Sequence, residues 1–186
     1  MVHAQPIDAL ITSTAPPERI VLLGKGESLD RYADQPERID WPHMGINETV
    51  ETMPCDYFIY LDEVMRQVDP GPEAIVLRPS NWIGAHGGRG YYFDKKQLRK
   101  KGYETRTSAA CAVLLCHLWG VSSMTLVGFD GFDSGRSNYA ACLHRNLAPG
   151  GTKNLPAVNR SLGRILEQTR MPVTWWHRNH TVTDGH

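Results

Sequence analysis

The sequence has little of what marks secreted or zinc-binding chains, because only four of its 186 residues are cysteines. None of them forms a closely spaced pair of the CxxC kind, and their spacing matches no zinc motif. Two of the four lie in apolar helix-like or strand-like sequence. We therefore expect small core residues in a reducing cytoplasm; the positions concerned are Cys55, Cys111, Cys116 and Cys142.

Net charge is absent as well, since 20 basic residues balance 20 acidic residues. This balance argues against a general electrostatic footprint for nucleic acid, although a local basic patch stays open. No stretch approaches the roughly 20 apolar residues that span a bilayer, and the N-terminus has no basic start followed by a long apolar run. These absences predict a soluble, cytoplasmic protein with no membrane partner.

What the sequence does have is apolar patterning for one sizeable core, with 41% hydrophobic residues. Runs of large apolar residues that suit strands buried on both faces alternate with helix-like segments. Strands are expected at 19–24, 43–47, 55–62, 73–80, 123–130 and 171–176, and helices near residue 28, at 107–119 and at 154–170. The alternation predicts an α/β, Rossmann-like fold, with a mostly parallel sheet and helices on both faces.

No composition shift divides the chain, so we predict one domain over residues 1–186. Residues 1–18 precede the first strand and are expected to form a flexible arm. Residues 81–106 are rich in glycine, aromatic and basic residues without clear periodicity, which is typical of a lid or binding loop. We expect a lid-like insertion there, in which His86, Tyr91 and Tyr92 are candidates to contact an acceptor. A homo-oligomer stays open.

Small, hydroxyl and carboxamide residues recur directly after the predicted strands, where ligands bind in open parallel sheets. The turn after the first strand has two glycines, which let the backbone approach a ligand, and the helix start behind it favours an anion. It matches neither GxGxxG nor a P-loop, and a tight turn with Ser28 as N-cap explains it equally well. The candidate binding residues after strands are Gly24, Lys25, Gly26, Ser28, Asn47, Gly128 and Asp130.

The second strong helix begins with Thr107 and Ser108. Both are good N-cap residues and need no function. The alternative is that their hydroxyls and the free N–H groups of the helix hold a carboxylate or a phosphate.

Two histidines, His86 and His144, lie in polar, loop-like sequence and are the candidate general bases, since the pKa of histidine lies near neutrality. The basic cluster at 95–101 is either a solvated helix face or a phosphate-attracting lid beside Tyr91 and Tyr92. No histidine pattern indicates a metal site.

Four stretches, VLLGKGESLD, MGINET, YFIYLD and above all TSAACAVLLCHLWGVSSMTLVGFDGF, resemble the small bacterial sialyltransferases and the related MptE-like group of hydroxymethylpterin diphosphokinases. In these families a GNGPSL-type turn follows the first strand, an asparagine ends the second, and a Thr-Ser-Gly helix start precedes a strand and a G-x-D turn. The resemblance implies a CMP-sugar donor. It assigns the cytidine monophosphate to Gly24, Gly26 and Ser28, the donor phosphate or sugar to Asn47, the sugar carboxylate to Thr107 and Ser108, and the nucleoside to Gly128 and Asp130.

The chain departs from the family pattern at the catalytic histidine, whose place is taken by Gly151. Lys25 also stands where the family has asparagine, and Ala109 where it has glycine. If the chain is a transferase, His144 is the expected substitute base, and either Tyr139 or the lid tyrosines, Tyr91 and Tyr92, are expected to contact the departing phosphate.

The leading hypothesis is a nucleotide-sugar-dependent glycosyltransferase that acts on a soluble acceptor by direct displacement and requires no cofactor. One alternative is an ATP-dependent diphosphokinase-like transferase, with Mg²⁺ held by Asp62, Asp130 and Asp133. Another is a catalytically inert nucleotide-binding protein, suggested by the missing histidine. A nucleic-acid acceptor gripped by residues 95–101 is also open.

Overall fold

A computed structural model of the chain describes residues 4–35, 38–88, 90–131 and 155–176. The strands are β1 (Gln5–Pro6), β2 (Arg19–Leu23), β3 (His43–Ile46), β4 (Tyr57–Ile59), β5 (Ile75–Pro79), β6 (Tyr91–Phe93), β7 (Ser123–Val127) and β8 (Val173–Trp175). The α-helices are α1 (Ile7–Ser13), α2 (Ser28–Ala33), α3 (Lys95–Lys100), α4 (Ser108–Trp119) and α5 (Leu155–Thr169). Short 3-10 helices cover Asn47–Glu51, Glu63–Gln67, Ser80–Trp82 and Ala85–Gly88.

The strands of the described residues form one eight-stranded sheet in the order β1-β6-β5-β4-β3-β2-β7-β8. All neighbouring pairs are parallel. The chain winds outward from β2 to β6 and then returns to the other side of β2 with β7. The winding direction therefore reverses between β2 and β7, which is the topological switch point where such sheets open to ligands. The predicted α/β, Rossmann-like fold is confirmed.

Two apolar cores cover the two faces of the sheet, which explains the continuous apolar runs in the sequence. Ile20 and Leu22 of β2 belong to one core, together with α4 and the inner face of α5. Val21 and Leu23 belong to the other core, which includes α2. Successive residues of β2 thus point to opposite faces, as the strand pleat requires.

Helix α4 is the central helix of the first core. Ten of its residues are buried, which is why its sequence is apolar almost all round. It begins where the Thr107 hydroxyl accepts a hydrogen bond from the Ala110 N–H at 3.1 Å. It ends at Gly120, whose left-handed φ of 96° suits a glycine C-cap.

Two segments differ from the sequence-based expectation. The predicted flexible arm contains β1, which pairs with β6, and α1, whose Ile7 and Leu10 are buried. The predicted lid-like insertion contains β6 and α3, which Asp94 caps by accepting hydrogen bonds from two backbone N–H groups. Strands of two and three residues are too short to show a period, so only pairing within the sheet reveals them.

The three described cysteines, Cys55, Cys111 and Cys116, are free and buried, as predicted for core residues. Burial raises the pKa of each thiol to about 12. Cys142 lies outside the described residues. Within the described ranges, no helix is both long and apolar enough to cross a membrane.

Candidate functional site

The turns that follow β2 and β7 are bonded to each other across the switch point. The Gly24 N–H donates to the Val127 carbonyl at 2.7 Å, and the Gly26 N–H donates to the Gly128 carbonyl at 2.8 Å. A Cβ at Gly24 would lie 2.6 Å from the Gly128 carbonyl oxygen, and Gly128 has a left-handed φ of 74°. Glycine is therefore required on both sides of this contact.

The side chains of Ser28 and Asp130 complete this contact. The fully buried Ser28 hydroxyl accepts from the Gly128 N–H at 2.9 Å, and an Asp130 carboxylate oxygen accepts from the Ser28 N–H at 2.8 Å. The N-cap reading of Ser28 is wrong, because Glu27 occupies that position and Ser28 is the first helical residue. We call these five residues, Gly24, Gly26, Ser28, Gly128 and Asp130, the switch-point junction. An aspartate of the protein itself meets the start of α2, where the sequence suggested an external anion.

Asn47 stands directly after β3 in the left-handed region, with φ of 58°. It is 9% exposed, and its side-chain oxygen accepts a hydrogen bond from the Ser108 hydroxyl at 3.1 Å. A non-glycine residue with this conformation costs about 1 kcal/mol or more and persists where surrounding structure dictates it. Thr49 supplies that constraint, since its hydroxyl accepts from the Ile46 N–H at 2.8 Å and lies 3.1 Å from the Leu23 carbonyl of β2.

The two predicted residues at the start of α4, Thr107 and Ser108, make different contacts. Thr107 is the N-cap, as the structural reading predicted, and its hydroxyl lies 3.3 Å from that of Ser161 on α5. Ser108 is 7% exposed and faces Asn47. The positive end of a twelve-residue helix is thus held beside the strained asparagine.

Lys25 forms an ion pair with Glu48 that sequence reasoning did not anticipate. The Lys25 Nζ lies 3.1 Å from Glu48 Oε1, and the two side chains are 15% and 1% exposed. Within the part of the chain that the structure describes, the second carboxylate oxygen of Glu48 has no hydrogen-bond partner. The sequence signal was Glu48 itself, an acidic residue next to the asparagine that ends a strand. The pair fixes the Lys25 ammonium between the ends of β2 and β3.

The predicted acceptor residues lie apart from these groups. Tyr91 and Tyr92 are half-buried in β6, three strand positions from β3, which is about 14 Å at the usual spacing of strands. His86 lies in the turn after β5. The predicted catalytic residues, Tyr139 and His144, lie outside the described residues.

A shallow cavity of about 510 Å³, largely open to solvent, lies beside His86, between the segments that follow β4 and β5. It is lined by Glu63, Val64, Arg66, Gln67, Gly84, Ala85 and His86. Of these residues, only His86 was predicted from the sequence to contact a ligand. The cavity lies at the same edge of the sheet as the switch-point junction, since all strands run the same way.

The residues suggested for magnesium do not form a cluster in the described ranges. Asp62 is exposed and Asp130 bonds the start of α2, while Asp133 lies outside the description. Among the residues described, no group of three or more histidine, cysteine or acidic side chains could hold a metal ion.

The basic cluster at 95–101 lies on and just after α3. Lys96, Lys100 and Lys101 are exposed. Arg99 is partly engaged, because its Nε donates to the Thr105 hydroxyl at 2.9 Å. The solvated-face reading describes this arrangement, while the phosphate-attracting reading stays a prediction.

Comparison with known proteins finds likeness in structure but none in sequence. No protein-family model matches the chain, and no curated protein matches it in sequence. Among solved structures, the chain is similar to the sialyltransferase CST-II in complex with a trisaccharide acceptor and CMP, at 14% identity and a TM-score of 0.49. The likeness covers 84% of this chain and 80% of that one. Membership of the sialyltransferase or MptE-like groups stays a hypothesis.

Proposed function

We propose that the chain binds a nucleotide-sugar at the carboxyl edge of its sheet and transfers the sugar to an acceptor hydroxyl. The observation that carries the proposal is the buried, left-handed Asn47, bonded to Ser108 at the start of α4 and adjacent in the sheet to the switch point. Backbone strain held by surrounding bonds is concentrated at binding and catalytic sites. Open parallel sheets bind nucleotides at this position.

The charges around Asn47 suit a phosphate group of the donor. The start of α4 places N–H groups and the positive end of a helix dipole there. The ion pair with Glu48 holds the Lys25 ammonium between the ends of β2 and β3, and 15% of the Lys25 side chain stays exposed. Together they can stabilise the negative charge that develops on a departing phosphate.

The proposed reaction is direct displacement at the anomeric carbon. The acceptor hydroxyl oxygen forms the new bond as the bond from the anomeric carbon to the phosphate oxygen breaks. A base removes the hydroxyl proton, and the electron pair leaves with the nucleoside phosphate. His144 stays the proposed base and Tyr139 the proposed partner of the phosphate. The resemblance favours CMP as the nucleotide.

Calorimetry against CMP, UDP, GDP and ADP tests the proposal, with two variants of Asn47. We expect CMP to bind, and Asn47→Gly to weaken binding about tenfold through loss of the amide, since glycine tolerates the left-handed backbone. Asn47→Ala is expected to add backbone strain and to lower stability further. Absence of binding to all four nucleotides, or equal binding by Asn47→Gly, contradicts the proposal.

The variant His144→Ala distinguishes sugar transfer from nucleotide binding. We expect this variant to keep CMP affinity and lose sugar transfer, measured by mass spectrometry of the products. If the wild-type chain binds CMP but forms no product with any CMP-sugar and acceptor, it is an inert nucleotide-binding protein. Magnesium-dependent turnover of ATP would instead indicate the diphosphokinase alternative.

A further inference from the structure

The cavity beside His86 is separate from the residues around Asn47. Its two walls are the 3-10 helix Glu63–Gln67, after β4, and residues 84–86, after β5. Strand β5 lies two positions from β3 in the sheet, which is about 10 Å. A ligand of two sugar rings can bridge that distance.

We propose that this cavity binds a neutral, polyhydroxylated molecule, and specifically the saccharide part of the acceptor. The assignment to an acceptor rests on the proposed transferase function. The binding of the saccharide itself does not, and it is tested separately. The volume of about 510 Å³ is large enough for a small molecule, and the open side of the cavity leaves part of such a ligand in water.

The charges in the cavity favour a neutral ligand. Arg66 Nη1 lies 3.2 Å from Glu63 Oε1, so the cation and the anion of the lining offset each other. Gln67 adds an amide that can both donate and accept. A set of planar donors and acceptors without net charge complements hydroxyl groups, whereas a phosphate would meet the Glu63 carboxylate as well as the Arg66 guanidinium.

The wall formed by His86 is fixed by the core beneath it. His86 has a left-handed φ of 50°. Its ring makes T-shaped contacts with the rings of Phe58 and Tyr60, with centroid distances of 5.6 Å and 5.4 Å. The Tyr60 ring in turn stacks on Trp82 with an interplanar angle of 9°. Packing of this kind preorganises a binding surface, because the ligand does not have to order the side chains itself.

The base of this wall also contains a fully buried arginine. Arg78 of β5 has no exposed side-chain surface, and its charge lies close enough to Tyr60 to affect the phenol. Burial nevertheless raises the pKa of Tyr60 to about 12, so its hydroxyl stays protonated at neutral pH. The Tyr60 ring that packs against His86 therefore keeps one charge state over the range in which binding would be measured.

Gly84 and Ile83 provide a matched pair of variants. A Cβ at Gly84 would have nothing within 4 Å, so a larger side chain enters open space at the cavity wall. Ile83 is 42% exposed and is not part of the lining. Gly84→Phe should fill the cavity, whereas Ile83→Phe places a similar ring one residue away without filling it.

Saturation-transfer NMR with methyl β-lactoside, a neutral disaccharide, tests the proposal on the full chain. We expect signal with the wild-type chain and with Ile83→Phe, and at least tenfold weaker binding with Gly84→Phe. Gln67→Ala, which only removes an exposed amide, should weaken binding several-fold and serves if Gly84→Phe does not fold. CMP affinity is measured in the same variants and should not change.

Three results would overturn the assignment: no signal from methyl β-lactoside on the wild-type chain, unchanged binding in both Gly84→Phe and Gln67→Ala, or displacement of the disaccharide by CMP. Stronger binding of glucose 6-phosphate at this cavity would overturn the neutral class of ligand. Failure of CMP to bind, with disaccharide binding intact, would contradict the proposed function alone.

Discussion

At the residue scale, the buried ion pair between Lys25 and Glu48 is the feature that sets the charge of the proposed donor site. The pair costs desolvation, because both groups leave water, and gains a close contact at 3.1 Å. Such pairs contribute little net stability, but removal of one partner leaves the other charge uncompensated. In the proposed function, the pair places the Lys25 ammonium next to Glu48, the neighbour in sequence of the strained Asn47.

The two halves of the pair should respond unequally to substitution. Lys25→Met leaves the Glu48 carboxylate, 1% exposed, without its partner, and we expect a loss of about 3 kcal/mol in the free energy of unfolding. Glu48→Gln leaves the 15% exposed Lys25 with an amide acceptor, so its loss should be smaller. Urea denaturation measures both.

The double variant Lys25→Met with Glu48→Leu provides the control, since it removes both charges. We expect it to recover most of the stability lost in Lys25→Met. Equal losses in both single variants, with no recovery in the double variant, would show that the pair does not act through its charges.

At the element scale, the close approach of the turns after β2 and β7 determines the shape of the carboxyl edge. Parallel strands alone bring the two turns side by side. The absence of a Cβ at Gly24 and Gly128 then lets them touch, and the Ser28 hydroxyl and Asp130 carboxylate bond them together. Helix α2 is thereby joined to β7, which lies about a hundred residues further along the chain.

Two glycines of similar conformation allow the energetic effect of this close contact to be distinguished from that of backbone strain. Gly128 and Gly102 have φ of 74° and 90°, but only at Gly128 would a Cβ strike another backbone, that of Gly24. Gly102→Ala should cost about 1 kcal/mol, the usual penalty of a left-handed alanine. Gly128→Ala should cost at least twice as much by urea denaturation. Equal losses of stability in the two variants would mean that the turns after β2 and β7 can move apart without an energetic cost.

At the scale of the whole molecule, both faces of the sheet are covered, and stability depends on groups that link the two layers to the strands. His43 of β3 is one such group, because its Nε2 lies 2.7 Å from the Tyr32 hydroxyl of α2. Burial lowers the pKa of His43, against the opposing effect of Asp56. Arg38 acts in the same direction as burial, and Trp41 acts with Asp56.

The direction of this shift predicts acid sensitivity of the fold. Below pH 6.5 the unfolded chain binds a proton at His43 more readily than the folded chain does. The contribution of His43 to stability is therefore present above pH 6.5 and is lost as the pH falls towards the lowered pKa of the folded state.

The free energy of unfolding, measured between pH 7.5 and 5.5, checks this prediction. It should fall less steeply with acidification in His43→Gln than in the wild-type chain, because the other histidines are common to both. An identical pH dependence in the two proteins would contradict the assignment.

Much of the fold follows from local pattern. Strand β2 and helix α4 are long and apolar enough to identify, and Thr107 and Gly120 mark the ends of α4 through their own preferences. Residues after strands of a parallel sheet share one edge, so Asn47 and Gly128 could be selected as candidates from the sequence. Strands β1 and β6, which lie within the predicted flexible arm and the predicted lid-like insertion, could not be identified from the sequence, because they are stabilised by pairing across the sheet rather than by local periodicity.

The sequence by itself determined the layered architecture, since the spacing of apolar residues dictates which faces must be buried. Only the tertiary structure decided which polar residues meet. It turned Ser28 and Asp130 towards each other, paired Lys25 with Glu48, placed Asn47 against Ser108, and opened a cavity beside His86. Contacts between residues 23 to 102 positions apart depend on strand order and close backbone approach, which no local pattern encodes.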